Sequence, residues 1–436
     1  MPASFETQAD PNLDAAVLDR WWTSFGDPQL TALIEEALIS APDARSAVAV
    51  LDEARATRRD ALTGYTPQGG ATGSAEIARE KPGGTNGTFA GSISPSWELG
   101  LFGRRTALRQ ASDADLDTAR FTFEASRQSL ANSVAGDLFD ARGLALQLVE
   151  ARDTERIARD LARVGQLRAN AGIGAPVDTA SLDSDAATAT ANRQALEAQL
   201  AVAKRTLLVL IGRGTDPSAM LAIDPVLGDP PLVPTITPGT LLRRRPDVRE
   251  AEARLRSAAG NLRLGELALL PSITLLPGGS GTALVGGAST SLWSLAASLT
   301  LPIFDRARLL ARIGEQRARG EQAVIAYEKA VQTAYGEAEK TITTYNADRA
   351  RLVQLAIAER RAGDTFEAQQ KGYRAGIVSL TTLLDAERTW RNARMSLSQL
   401  RTTTLTDAVN AFLALGGGWS PDAYATPATL TARDLP

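Results

Sequence analysis

Phe89-Ala90-Gly91-Ser92-Ile93-Ser94-Pro95-Ser96-Trp97-Glu98-Leu99-Gly100-Leu101 alternates without a break. Phe89, Gly91, Ile93, Pro95, Trp97, Leu99 and Leu101 share one side, and small or polar residues share the other. That period of two predicts a strand with one apolar face. After Phe102-Gly103 the period changes to that of a helix, and a proline-free run rich in Ala, Arg, Asp and Leu continues to about Leu167. At 1.5 Å per residue this helix is on the order of 100 Å long. Few globular domains could contain such a rod.

Working back from this strand, Ala71, Gly73, Ala75 and Ile77 make a weaker partner, joined through the turn-forming Lys81-Pro82-Gly83-Gly84-Thr85-Asn86-Gly87. Before the hairpin, Leu30, Leu33, Ile34, Ala37 and Leu38 keep a helical stripe, and a second helix opens on Pro42 and stops at Tyr65-Thr66-Pro67. Beyond the rod, Ala171-Gly172-Ile173-Gly174-Ala175-Pro176 reverses the chain into a shorter helix that ends near Ile211.

The whole pattern then recurs about 204 residues later. Pro42-Asp43-Ala44-Arg45 returns as Pro246-Asp247-Val248-Arg249, Tyr65-Thr66-Pro67 as Leu269-Leu270-Pro271, and Arg168-Ala169-Asn170-Ala171-Gly172-Ile173 as Gly372-Tyr373-Arg374-Ala375-Gly376-Ile377. A half-chain unit used twice implies pseudo-symmetric architecture. The expected organisation is an N-terminal segment 1–27 and a first copy 28–212, with helices 28–40 and 43–63, a β-hairpin 68–101 and a helical hairpin 103–211. A linker 213–237 precedes the second copy 238–416, with a helical part 238–268, a β-hairpin 272–303 and a helical hairpin 306–415, and a tail 417–436 closes the chain.

Composition removes several chemistries. There is no cysteine and no histidine, so disulfides, thiolate nucleophiles, imidazole bases and the usual zinc ligands are excluded together. A net charge of -3 with both signs dispersed gives no nucleic-acid surface. No carboxylate spacing isolates an acid/base pair, and no cofactor motif is present: Gly172-Ile173-Gly174-Ala175-Pro176 lacks the Lys-Ser/Thr of a phosphate loop. No apolar run reaches the roughly 18 residues of a membrane-spanning helix. The strands, at about ten residues each, are long enough to cross a bilayer when tilted.

Four strands cannot close a barrel, and open edges are not tolerated in hydrocarbon. Three copies would supply twelve strands, within the range of outer-membrane barrels. The second rod keeps small residues on its stripe, with Ala323, Ala330, Ala334 and Ala338 beside Val324, Tyr327, Val331, Tyr335 and Ile342, which suits close lateral packing in a wall. The expected fold is therefore mixed α and β, mostly α and internally duplicated. Long antiparallel rods form a trimeric α-barrel, four strands per chain enter a 12-stranded transmembrane β-barrel, and a mixed equatorial region completes it.

At Trp21-Trp22-Thr23-Ser24-Phe25-Gly26-Asp27-Pro28-Gln29-Leu30, Trp97-Glu98-Leu99-Gly100-Leu101-Phe102-Gly103, Leu242-Arg243-Arg244-Arg245-Pro246-Asp247-Val248-Arg249, Leu301-Pro302-Ile303-Phe304 and Leu383-Leu384-Asp385-Ala386 the chain resembles the outer-membrane efflux proteins, the TolC-like and OprM-like outer membrane factors of tripartite pumps. The resemblance spans Trp21 to Gly418. It implies a homotrimeric passive conduit in the outer membrane of a Gram-negative cell, with lipid around its barrel. Its expected partners are a periplasmic adaptor and an inner-membrane transporter, most commonly of the RND type. Many relatives in the NodT-like subgroup are lipoproteins carrying palmitate on a cysteine just after the signal peptide; that segment is absent from the sequence as given, and Pro2-Ala3-Ser4-Phe5 reads as sequence downstream of it.

By the same resemblance, Asp385 occupies the acidic position at the periplasmic mouth, where carboxylates from three subunits narrow the pore; a solvated helix residue is the plainer reading. Thr381 stands one turn earlier, where relatives often carry a bulky apolar seal. Asp178 lies at the tip within expected reach of Tyr373 or Arg374 and could hold the mouth closed, or form a surface pair worth about 0 to 1 kcal/mol. The turns Gly172-Ile173-Gly174 and Gly376-Ile377-Val378 look like adaptor-docking tips, although glycine is also what a helix reversal needs. Trp97 and Trp293 are expected either at a membrane interface or against the equatorial belt. Arg243-Arg244-Arg245 reads as a solvated helix end. The alternative function is a periplasmic adaptor or structural coiled-coil protein bridging membranes, which would carry one helical hairpin rather than two.

Overall fold

The computed structural model describes residues 5–6, 15–79, 85–172, 175–234 and 236–421. Along the chain run α1 (Pro28–Ser40), α2 (Pro42–Thr63), β1 (Gln68–Arg79), β2 (Thr85–Leu99), α3 (Arg104–Asn170), α4 (Pro176–Leu210), α5 (Pro238–Arg244), α6 (Pro246–Leu267), β3 (Ser272–Leu284), β4 (Ser289–Thr300), α7 (Arg306–Arg374) and α8 (Leu380–Ala414). The rods α3 and α7 are 67 and 69 residues long, and both returning helices are 35. Proline begins α1, α2, α4, α5 and α6, where its missing N–H costs no helical hydrogen bond.

Compactness does not follow the duplication. One unit holds Val48–Phe123 and Asp247–Val331, and the other holds Met1–Ala47, Glu124–Pro246 and Gln332–Pro436. Each therefore takes segments from both copies.

In the first of these units the four strands form one antiparallel sheet in the order β1-β2-β3-β4. The hairpins are joined by β2 and β3, with Phe89 opposite Ala283, Ile93 opposite Gly279 and Trp97 opposite Leu275. Paired residues share a face, so Ala71, Ile93, Gly279 and Trp293 stand in one row, and Trp97, Leu275 and Ala297 in another. The second face carries Thr72, Ser92, Ser280, Thr282, Thr290 and Ser294. The β2–β3 ladder lapses between Ile93 and Trp97, where Pro95 and Pro277 fall at the same level and neither has an N–H to donate. The same unit brings α3 and α6 together: a Cβ on Gly260 would lie 2.9 Å from the Cβ of Ala111. Below that contact Arg256 pairs with Asp117 at 3.2 Å, and the Arg249 guanidinium lies 5.2 Å from the Phe121 ring centre.

The core of the other unit is aromatic. Trp21 stacks on Phe412 at 6.0 Å, and Phe25 lies 5.3 Å from Phe139. Asp27 caps α1 by accepting from the amides of Gln29 (3.0 Å) and Leu30 (3.1 Å), and the same carboxylate holds Arg142 of α3. Burial alone would raise the Asp27 pKa, but the Arg142 hydrogen bond and the capped amides outweigh it and hold it below the usual carboxylate value.

The arginine run is not a solvated helix end. Only Arg243 is exposed, while Arg244 and Arg245 are each 8% accessible. Arg244 pairs with Asp19 and donates to the Trp419 carbonyl at 3.3 Å, and Arg245 reaches the Ala414 carbonyl (3.2 Å) and Glu337 (2.7 Å). Trp419 returns a bond from its indole N–H to the Arg244 carbonyl at 2.8 Å. Gly416, at φ 77, fits against that carbonyl where a Cβ would come within 2.6 Å. Arginine suits this position because its planar fork can serve a carboxylate and a carbonyl at once.

Candidate channel and gate surfaces

At the turns between the long helices, Gly172 (φ 72) and Gly376 (φ 75) adopt left-handed backbone that reverses the chain cheaply only as glycine. Behind them Leu161, Ala162, Leu182, Phe366, Tyr373 and Leu383 make a buried cluster drawn from α3, α4, α7 and α8. Leu182 and Leu383 are 1% and 0% exposed, each worth about 1.5–3 kcal/mol of burial.

Tyr373 belongs to this cluster rather than to an exposed gate. It is 6% exposed, and the Arg168 guanidinium lies 5.0 Å from its ring centre. Asp178, half-buried in the first turn of α4, has no ion pair among the described residues, and Arg374 is exposed, so the chain by itself does not join them. Asp385 is exposed and lies 3.7 Å from Arg388 on its own helix. Thr381 is exposed one turn earlier, in the first turn of α8, which Ser379 caps through the Thr382 amide at 3.2 Å.

Of the expected docking residues, Ile377 is 83% exposed. Val378 differs from expectation: it folds back over Gly372, where a Cβ would meet it at 2.6 Å, and packs on the buried cluster. Ile173 and Gly174 lie outside the described residues.

Above the tips stands a polar arrangement that periodicity did not single out. Trp390 stacks on Phe366 at 5.1 Å, donates to Glu359 at 3.1 Å and carries Arg394 over its ring at 5.3 Å. Beneath its indole, Gly363 leaves only 3.1 Å for a Cβ. Nearby Glu387 is 3% exposed; burial pushes its pKa up and Asp185 adds to this, while Arg391 opposes. The carrying signal was available as a pair of spacings, Glu359 to Phe366 on α7 and Glu387 to Trp390 on α8, but nothing in either helix alone says that they meet.

On the sheet, Trp97 and Trp293 share the apolar face and are 40% and 76% exposed. They do not share a level. Trp293 stands four residues from Ala297, the residue in the Trp97 row, so about 13 Å of strand separates them. Trp97 donates to the Tyr65 carbonyl at 2.9 Å, and Trp293 lies across Gly279, leaving 2.8 Å for a Cβ. Among the described residues no helix is long and apolar enough to cross a membrane, and no cluster of three metal-ligating side chains occurs.

Comparison with known proteins agrees with this geometry. The chain is 28% identical over 450 residues to the pyoverdine export outer membrane protein OpmQ of Pseudomonas aeruginosa, covering 97% of this chain and 92% of that one. It is 29% identical over 413 residues to the cation efflux system protein CusC of Escherichia coli K12, covering 91% and 88%. The solved structure of the outer-membrane channel OprN superimposes with a TM-score of 0.83 at 28% identity, over 96% of this chain and 97% of that one. The profile of the family described as "Outer membrane efflux protein" matches residues 33–213 and 237–417, two segments that begin 204 residues apart as the duplicated copies do. Since the match takes in both copies and all four strands, the chain belongs to the outer membrane efflux protein family.

Proposed function

We propose that three copies of this chain form the exit duct of a tripartite efflux pump, a passive conduit in the outer membrane of a Gram-negative cell. The carrying observation is the sheet: four strands with an apolar face, a hydroxyl-rich face, and edges on β1 and β4 that no described strand covers. Such a sheet is complete in hydrocarbon only when its edges meet those of other copies. The apolar face then meets lipid and the hydroxyl face lines the lumen. Energy would come from an inner-membrane transporter, of RND type by family resemblance, through a periplasmic adaptor. The matched family and the named relatives are efflux and export proteins, which supports a transport role.

For the mouth we propose a ring of Asp385 carboxylates with Thr381 beside them, and Asp178 paired across neighbouring hairpins with Arg374. Tyr373 supports this from behind by fixing Arg168 and the tip cluster. Gly172 and Gly376 shape the turns, and Ile377 presents the exposed apolar contact for the adaptor. Ile173 and Gly174 complete the first turn, while Val378 acts by bracing the second.

The test is assembly and conductance. A trimer-sized particle in detergent, heat-modifiable on gels and conducting in planar bilayers, is expected; a monomer soluble without detergent overturns the duct. Asp178→Ala should raise single-channel conductance and Asp385→Asn should lower cation preference. Unchanged traces in both variants would remove the gate assignment while leaving the duct standing.

A further inference from the structure

Arg104, the first residue of α3, fastens one copy of the duplicated unit to the other. Its Nη2 donates to the carbonyls of Leu267 (3.0 Å) and Leu270 (3.2 Å), its Nε to Leu267 (3.3 Å), and its Nη1 to Glu98 (3.0 Å). Leu267 closes α6, and Pro271 and β3 follow directly. The guanidinium therefore satisfies carbonyls that a helix end leaves open, with its charge at the favourable end of the helix dipole.

The duplication supplies a counterpart for each part of this joint. Leu101-Phe102-Gly103-Arg104 matches Ile303-Phe304-Asp305-Arg306 by its Phe and by the arginine that begins each rod, at an offset of 202; in the register of 204 that relates the rest of the copies Arg104 falls on Arg308, because α7 is two residues longer at its start. Leu267 and Leu270, standing before Pro271, correspond to Thr63 and Thr66, standing before Pro67 at the end of α2. Within one chain these counterparts do not meet. The strand order places β2, which leads into α3, beside β3, which follows α6, but leaves β4 and β1 on opposite edges. Accordingly Arg306 is exposed and has no partner among the described residues, Thr63 and Thr66 are exposed, and Phe304 beside Arg306 is 100% exposed. Asp305 is held by Arg308 at 3.0 Å, not by Arg306.

The Thr63 carbonyl already accepts from the Thr66 amide (2.9 Å), the Thr66 hydroxyl (2.7 Å) and Gln68 (3.1 Å). We propose that Arg306 of one subunit donates to the backbone carbonyl of the partner subunit's Thr66, closing between chains the joint that Arg104 closes within one. The inference rests on the ring of copies proposed above, because only there does the β4 edge meet the β1 edge of a second copy. The two joints differ in charge balance. Glu98 neutralises Arg104 six residues before it, whereas Thr300 stands six residues before Arg306. The joint between subunits is thus a cation on a single carbonyl, and it should loosen before its counterpart within the chain.

The natural lack of cysteine makes the test direct. In full-length protein in detergent, Arg104→Cys with Leu270→Cys and Arg306→Cys with Thr66→Cys are each treated with a short bifunctional thiol reagent. The first pair should close within the chain and run as a monomer on denaturing gels; the second should give dimers and trimers. A trimer of native mass in which the first pair is captured and the second is not overturns the inference while sparing the duct, whereas absence of any trimer overturns the duct itself. Because crosslinking reports nearness only, Arg306→Gln supplies the second arm. It should dissociate on heating at a lower temperature than the parent, with Arg308→Gln unchanged, and equal behaviour of Arg306→Gln and the parent also overturns the inference.

Discussion

Asp407 on α8 faces Asp348 on α7, and the pair should make local stability fall as pH rises. Burial first, then the hydrogen bond that protonated Asp407 donates to Asp348 and the like charge between them, push the Asp407 pKa up to about 6. Asp348 is itself 7% exposed and held by Arg351 at 2.6 Å, so the proton that the pair shares is the one bound at the raised pKa of Asp407. The sign follows from proton counting. The folded pKa lies above the unfolded one, so the native state binds more protons between about pH 4 and pH 6 and loses stability across that window. A shift of about two units corresponds to roughly 3 kcal/mol, which partial solvent access reduces to about 1 kcal/mol. Asp407→Asn keeps a hydrogen-bond donor toward Asp348 at every pH. At pH 8 it should therefore slow amide hydrogen exchange in the α7 and α8 segments around these residues by about fivefold, the equivalent of 1 kcal/mol. At pH 5 the variant and parent should exchange alike, since the parent is already protonated. An equal ratio at both pH values, or faster exchange in the variant at pH 8, would refute the shared-proton account.

Removing Arg245 should be far more damaging than its place in a run of arginines suggests. Arg245→Ala strands the Ala414 carbonyl and Glu337, costing about 2–4 kcal/mol, and should lower both the melting temperature in detergent and the yield of trimer. Arg245→Lys should recover only part of this, because a point charge cannot serve both acceptors; full recovery would show that charge alone matters. Gly260→Val forces a side chain into the backbone of Ala111, where even a Cβ lies at 2.9–3.0 Å, and should cost about 1–3 kcal/mol by the same melting assay. A silent Gly260→Val would mean that α3 and α6 are not in firm contact.

The sheet and the rods were legible because each writes its period into adjacent residues. Strand β2 alternates from Phe89 to its end, and α3 runs without proline from Arg104 to Asn170. Even Pro95, which would ordinarily demote a central strand, fits once Pro277 is found at its level across the ladder. What stayed hidden depended on partners distant in sequence. Arg244 and Arg245 look like solvent-facing charges until Trp419, 175 residues away, and the carbonyl of Ala414 arrive to satisfy them. Tyr373 looked free to reach Asp178, but the apolar residues of four helices converge on it and Arg168 covers its ring. Val378 looks exposed in a turn, yet Gly372, six residues back on α7, leaves the space into which it folds. The Asp348–Asp407 pair has no local signature, since each residue is an ordinary carboxylate on its own helix.

The differences between the copies follow from which joint the chain can close by itself. Where α6 meets α3, Gly260 permits backbone contact with Ala111, and Leu267 and Leu270 offer their backbone carbonyls to Arg104. At the corresponding places on α2 stand Ala56, Thr63 and Thr66, all exposed in the single chain. A joint closed during folding can bring two backbones into contact, because both sides belong to one chain. One closed only on association must stay soluble beforehand, which favours short polar side chains and leaves a backbone carbonyl to supply the contact. The same asymmetry reaches the tips. Asp385 of the second copy has Ser181 as its counterpart in the first, and Asp178 of the first has Thr382 in the second. A mouth built on Asp385 therefore repeats three times around a ring of three chains, not six, although the helices that carry it repeat six times. If the proposed ring and mouth hold, the asymmetry that lets a seam part lies at positions such as these, where the two copies carry different side chains.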